Sequence, residues 1–95
     1  MVWVLVRHRI EDYDKWRPLF NGEGSLLRNA TAKEGYVFRN LSDSHELLVF
    51  VAWETEEEAR AFMEAEELRQ VMKDAGVTDK PDIYYLEVLE RAGLG

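Results

Sequence analysis

The stretch His45–Ala75, HELLVFVAWETEEEARAFMEAEELRQVMKDA, reads as a buried strand that turns directly into an amphipathic helix. Leu47 to Trp53 is apolar at every position, so neither face of that strand suits water, which places it inside a sheet. Thr55 ends the strand and starts the helix. Its hydroxyl can accept from the Glu58 amide while the Glu58 carboxylate reaches back, a capping box just ahead of an apolar stripe. Glu56, Glu57 and Glu58 suit the positive end of the helix dipole, at a few tenths to about 1 kcal/mol each. Ala59, Phe62 and Met63 form one stripe, but the apolar set resumes at Leu68, Val71, Met72 and Ala75, out of phase with the first. That slip near Ala65 predicts a kink, or two short helices end to end. Gly76 is expected to close the second piece in the left-handed conformation, with Val77 against Met72.

Upstream, Val2 to Ile10 alternates with period two. Val4, Val6, His8 and Ile10 share one face, and Trp3, Leu5, Arg7 and Arg9 the other, so this strand too is expected to be central. Asp12 is the N-cap of the next segment. Pro18 lacks an amide proton and crowds the Asp14 carbonyl, which predicts a turn at Tyr13 to Trp16 and then a helix with Pro18 in its first turn. The stripe Trp16, Leu19, Phe20, Glu23, Leu27, Ala30 is interrupted by Glu23, which Gly22 and Gly24 flank. Tyr36 to Leu41 reads as a strand, Ser42 to Ser44 as the turn of a hairpin, and Ile83 to Leu89 as the last strand after a polar connector, Thr78 to Pro81.

The order βαββαβ, in one antiparallel sheet with helices on one face, is the ferredoxin-like α+β arrangement, as one domain over residues 1–95. Two helices cover one face only, yet the first and third strands are apolar on both. The open face is therefore expected to meet a second copy across a two-fold axis.

Composition narrows the function classes. The net charge of −7 and the lack of clustered Lys and Arg argue against a nucleic-acid partner. No apolar run is long enough for a membrane span, and Val2 to Val6 lacks a basic leader, so a cytoplasmic protein is expected. With no cysteine there is no disulfide and no thiolate chemistry. Two distant histidines without HxxxH or HExxH spacing give no metal site, and the GEG at Gly22 lacks the context of a phosphate loop, so no cofactor is expected.

The tracts DYDKWRPLF (Asp12–Phe20), GYVFRNLSD (Gly35–Asp43) and VAWETEEEARAFM (Val51–Met63), in this order of elements, resemble the dimeric α/β-barrel superfamily. The likeness is to its antibiotic biosynthesis monooxygenase-like and small cyclase-type members, and it covers nearly the whole chain. It implies a homodimer with sheets facing each other, helices outside, and a pocket in each subunit between helices and sheet. Such proteins include cofactor-free oxygenases of polyketide phenols, haem-degrading enzymes and polyketide cyclases, as well as many without an assigned activity. This chain departs from the pattern where many members carry a helix histidine after the tryptophan, since it reads AFMEA at 61–65, and haem degradation loses support. Glu23 stands where related sequences with a similar first helix often have a histidine, so the usual chemistry of that position does not carry over unchanged.

Each candidate site residue has two readings. His8 is a pocket base titrating near neutrality, or a hydrogen-bonded histidine at a strand end. Glu23 is a general base raised by desolvation or a ligand-binding carboxylate, or a side chain that reaches solvent from a Gly-flanked turn. Trp16, Phe20, Tyr36, Trp53 and Phe62, with Tyr84 and Tyr85, line a pocket for a flat aromatic ligand or pack as plain core. His45, after the Ser-Asp-Ser turn, is expected in solvent. Two functions are compatible with these residues: a homodimeric cofactor-free monooxygenase or cyclase, with His8 and Glu23 as acid/base groups on an aromatic or polyketide-like substrate, or a non-catalytic ligand-binding or assembly module of the same fold.

Overall fold

Period-two alternation at the N-terminus sets the sheet. In the computed structural model, which describes residues 1–20 and 30–93, β1 (Val2–Arg9) lies between two antiparallel neighbours. Val4, Val6 and His8 are buried on one face, and Trp3, Leu5, Arg7 and Arg9 are half-buried on the other. The wholly apolar run is the other central strand, β3 (Asp43–Trp53), paired with β1 and with β2 (Glu34–Asn40). The last strand, β4 (Asp82–Glu87), pairs with β1, giving the order β2-β3-β1-β4 of the ferredoxin-like fold.

Strand ends differ from the sequence reading for identifiable reasons. The hairpin turn is Leu41–Ser42, not Ser42 to Ser44, because Asn40 Oδ1 accepts from the Ser42 amide and Asp43 is already paired with Asn40. Val88 and Leu89 fall outside β4, because β1 begins at Val2, opposite Glu87, and leaves them no strand to pair with.

Helix α1 (Tyr13–Phe20) runs unbroken through Pro18, correcting the expected turn-then-helix. Asp12 caps it, its Oδ1 accepting from the Asp14 amide at 3.0 Å. Pro18 and Asp14 are both on the exposed side, where water can take the carbonyl that the proline leaves without a donor. The expected phase slip is a true break: α2 (Glu56–Met63) ends at Glu64, and α3 (Glu66–Asp74) starts after Ala65. Thr55 Oγ1 accepts from the Glu58 amide at 3.2 Å, but Glu58 Oε2 is buried without a partner among the described residues, so only half of the capping box forms. Gly76 has φ 87°, Val77 donates to the Met72 carbonyl at 3.1 Å, and Gly76 to that of Lys73 at 3.2 Å, the expected Schellman closure.

The helices supply Trp16, Ala59, Met63 and Leu68 to a core shared with Val4, Val6, Leu47, Val49, Val51 and Trp53. Opposite it, Trp3, Tyr36, Phe38 and Phe50 form a connected set of rings on the sheet face away from that core. Among the described residues, no helix is long and apolar enough to cross a membrane.

Candidate functional site

A cavity of about 50 Å³ lies between the helices and the sheet, walled by His8, Trp16, Leu19, Phe20 and Phe62 with Val6, Val49, Val51, Met63, Leu68 and Met72. Strand alternation puts His8 there: it follows Val4 and Val6 on the helix face and is 1% exposed. Helical spacing supplies the opposite wall. Tyr13, Trp16 and Phe20 stack in series along α1, with centroids 6.1 and 6.0 Å apart, and Arg39 lies 5.0 Å over the Tyr13 ring. Phe20 reaches the sheet because residue 35 is glycine: a Cβ there would stand 2.9 Å from Phe20 Cζ.

His8 is the polar member of this wall. Among the described residues neither Nδ1 nor Nε2 has a hydrogen-bond partner, and the Trp16 ring, 5.7 Å away, also has an unpaired nitrogen. The reading of His8 as a hydrogen-bonded strand-end histidine is not what is found. Burial lowers its pKa to about 4; Asp79 pulls it up and Arg7 pushes it down. At neutral pH His8 is therefore an uncharged imidazole with an unpartnered acceptor among the described residues, held in an apolar enclosure. A buried polar group in that state is rare in a settled core and common where a ligand completes the bonding.

The other expected site residues separate. Phe62 lines the cavity; Trp53 stands behind it at 5.0 Å, 1% exposed and part of the core. Tyr36 does not join them. It pairs with Phe50 on the open face of the sheet, stacks on Trp3, and gives its hydroxyl to Glu34, so strand alternation places it on the far side from His8. Tyr84 lies opposite Leu5 on that same face, whereas Tyr85 faces the helices beneath Arg60. Glu23, with Gly22, Gly24 and Leu27, lies outside the described residues. His45 is exposed as expected, with Nδ1 donating to the Ile10 carbonyl at 3.0 Å.

Two features escaped sequence reasoning. Met63, Leu68 and Met72 are cavity wall, although their spacing reported only a helix stripe. Asp79, in what read as a plain connector, takes the Arg9 amide at 2.8 Å and the Arg7 guanidinium at 3.3 Å, and so sets part of the field at His8. No run or spacing in the sequence marks it. Among the described residues, no three potential metal ligands converge.

No protein-family model and no curated protein matches this sequence. Solved structures do share its fold. A monooxygenase from the ActVA-Orf6 gene of Streptomyces coelicolor, solved with nanaomycin D, superposes with a TM-score of 0.73 at 13% identity, over 99% of this chain and 92% of that one. A variant of SnoaB, a cofactor-independent oxygenase from Streptomyces nogalater, gives 0.63 at 8% identity, over 95% and 94%. A candidate antibiotic biosynthesis monooxygenase from Deinococcus radiodurans gives 0.65 at 15% identity, over 100% and 99%. The likeness to antibiotic biosynthesis monooxygenase-like proteins is thus one of fold, along the whole chain.

Proposed function

We propose that this protein is a cofactor-independent oxygenase of small phenolic aromatic molecules, with His8 as the proton acceptor. The observation that carries the reading is the buried, uncharged His8 imidazole, with both nitrogens unpartnered among the described residues, on the wall of an otherwise apolar cavity. Two proteins of the same fold are oxygenases, which agrees with it.

The chemistry needs little else from the protein. A phenol bound against His8 passes its proton to the imidazole, the attraction between phenolate and imidazolium offsetting part of the cost of two charges in a dry site. The phenolate gives one electron to dioxygen. The resulting radicals join at a ring carbon, and the peroxide takes back the proton from the imidazolium and loses water. For 1-naphthol the balance is one dioxygen in, 1,4-naphthoquinone and one water out. Exclusion of bulk water protects the radical pair.

The cavity is about 50 Å³, against the roughly 150 Å³ that accommodates a benzene-sized guest. Dioxygen fits as the walls stand; an aromatic substrate enters by displacing side chains, and Met63 and Met72 are the adaptable ones. The test is oxygen uptake with 1-naphthol. His8→Gln is expected to lower the turnover about 100-fold or more. Equal turnover in the variant removes His8 from the mechanism. Tight binding without oxygen uptake would favour the alternative, a non-catalytic ligand-binding module, for which the small volume of the cavity speaks.

We further propose that the working form is a homodimer joined through the open sheet face. That reading rests on the exposed rings of Tyr36 and Phe38, packed with the half-buried Trp3 and Phe50 on that face.

A further inference from the structure

Met63, Leu68 and Met72 have two sides. On one they close the His8 cavity; on the other they floor an open groove of about 630 Å³ between α3 and β4, together with Val77, Ile83 and Tyr85. That volume suits a small organic ligand. Arg69, Lys73 and Lys80 stand on the rim of this groove. Among the described residues, none of these three cations has an ion pair. Of the two acids that line the groove, Asp79 is engaged with Arg7 and the Arg9 amide, and Glu64 lies toward Arg60 at 4.0 Å; Glu66 and Glu67 adjoin Arg69 and Lys73 on the outer side of α3. Arg17, Arg39 and Arg91 also lack an ion pair among the described residues, but they are scattered. Here three stand around one apolar floor.

We infer that this groove receives an aromatic carboxylate. The anionic end meets Arg69, Lys73 and Lys80, and the ring lies over Met63 and Met72, one side-chain layer from His8. The assignment rests on the His8 cavity being the reaction chamber and adds the class of substrate: a phenol that carries a carboxylate on the ring remote from its hydroxyl. The two methionines then serve as the wall that yields, because an unbranched thioether side chain changes rotamer at little cost. The cations also concentrate an anionic ligand at a protein whose net charge of −7 would otherwise repel it.

Calorimetric titration of the full chain with 5-hydroxy-1-naphthoate and with 1-naphthol tests this. The carboxylate is expected to bind about tenfold tighter in dilute buffer, an advantage that shrinks as salt screens the rim charges. Lys73→Gln should reduce that advantage about threefold and the triple change R69Q/K73Q/K80Q should abolish it, with 1-naphthol affinity unchanged. Lys33→Gln, matched in charge but at the opposite edge of the sheet and paired with Glu54, should leave it intact. Equal affinity of the two probes for the native protein, failure of the carboxylate to bind, or a preference that survives the triple change would overturn the assignment. Its failure is separable from that of the oxygenase reading: a rim-dependent preference without oxygen uptake sustains the groove and sinks the oxygenase, whereas uptake without that preference does the reverse.

Discussion

The His8 and Trp16 rings lie 5.7 Å apart, inclined at 39°, and the nitrogens of both are buried without partners among the described residues. For the imidazole this has a thermodynamic signature. Burial lowers its pKa from 6.5 to about 4, with Asp79 and Arg7 as the charges acting on it. Below pH 6.5 the unfolded chain takes up a proton that folded His8 refuses until about pH 4, so stability falls across that window and is unaffected by this group above it. At about 1.4 kcal/mol for each tenfold change in proton affinity, the loss is roughly 3 kcal/mol. Urea titrations at pH 7 and pH 4 should show it, and His8→Phe should remove it while costing little at pH 7, since no hydrogen bond to a described residue is broken. An unchanged slope in the variant would refute the assignment. Asp43, held low first by Arg9, and Glu46, held low first by Asn40 and then Arg7, act in a lower window, below the ordinary carboxylate range.

Gly35 governs how closely Phe20 approaches the sheet. Its φ is not positive, so alanine is allowed there, and on conformational entropy alone the change would stabilise by about 0.4–1 kcal/mol. The new Cβ would stand 2.9 Å from Phe20 Cζ, however, and overpacking typically costs about 1–3 kcal/mol. The collision is with the far end of a side chain, which places the expected net loss near 1 kcal/mol. Gly35→Ala combined with Phe20→Leu should recover most of it in a double-mutant cycle; additive losses would show that the two do not meet.

The parts of this molecule that derive from periodicity were legible in its sequence. The apolar run at Leu47 to Trp53 marked a central strand, and the displaced stripes on either side of Ala65 marked a helix break, because burial of one face constrains every second or fourth residue. Sheet membership of the aromatic rings was not legible to the same degree. Tyr36 reads equally well as pocket or open face until its pairing with Phe50 is known, and a shift of one residue exchanges the two faces. The isolation of His8 was hidden as well, since a sequence shows which groups can bond but not which partners are out of reach. Asp79 illustrates the converse: an unremarkable loop carboxylate acquires its role from the return of the chain past Arg7 and Arg9.

Ala65 is an unused opportunity for stability. It is the N-cap of α3, with extended φ −68° and ψ 133°, and no side chain caps the helix. Serine in that conformation can accept from an orphan amide of the first turn, which typically contributes about 1 kcal/mol. Aspartate would meet Glu66 and Glu67 and should gain less. Thermal melts of Ala65→Ser should therefore exceed the native midpoint by a few degrees, about 4–8 °C per kcal/mol for a domain of this size. The reciprocal test is Thr55→Ala at the capped helix, expected to lower it by a similar amount. A fall in both variants would mean that Ala65, half-buried, cannot accommodate a hydroxyl.

Proposed dimerisation through the open sheet face leads to the most demanding prediction. Trp3 and Tyr36 stack there with centroids 6.3 Å apart, and Phe38 meets Phe50 edge-on at 5.7 Å. Tyr36, Phe38, Tyr84 and Leu86 remain 48%, 52%, 53% and 40% exposed, so about half of each is available to a partner. One end of the face is closed by polar contacts, Arg7 with Glu46 and Arg9 with Asp43, which suit the rim of an interface. Burial of about 600 Å² of apolar surface would contribute on the order of 15 kcal/mol, against association costs of about 4–15 kcal/mol. The balance favours association, opposed by the like charge of two acidic subunits, so added salt should tighten the dimer. Sedimentation equilibrium at micromolar concentration is expected to give twice the chain mass. Phe38→Lys, which puts a charge among the rings of the face without adding to the acidic excess, should weaken the dimer at least about 30-fold and leave the far-ultraviolet circular dichroism unchanged. A native protein that sediments as a monomer at both low and moderate salt would overturn the proposal, and the exposed rings would then need another partner.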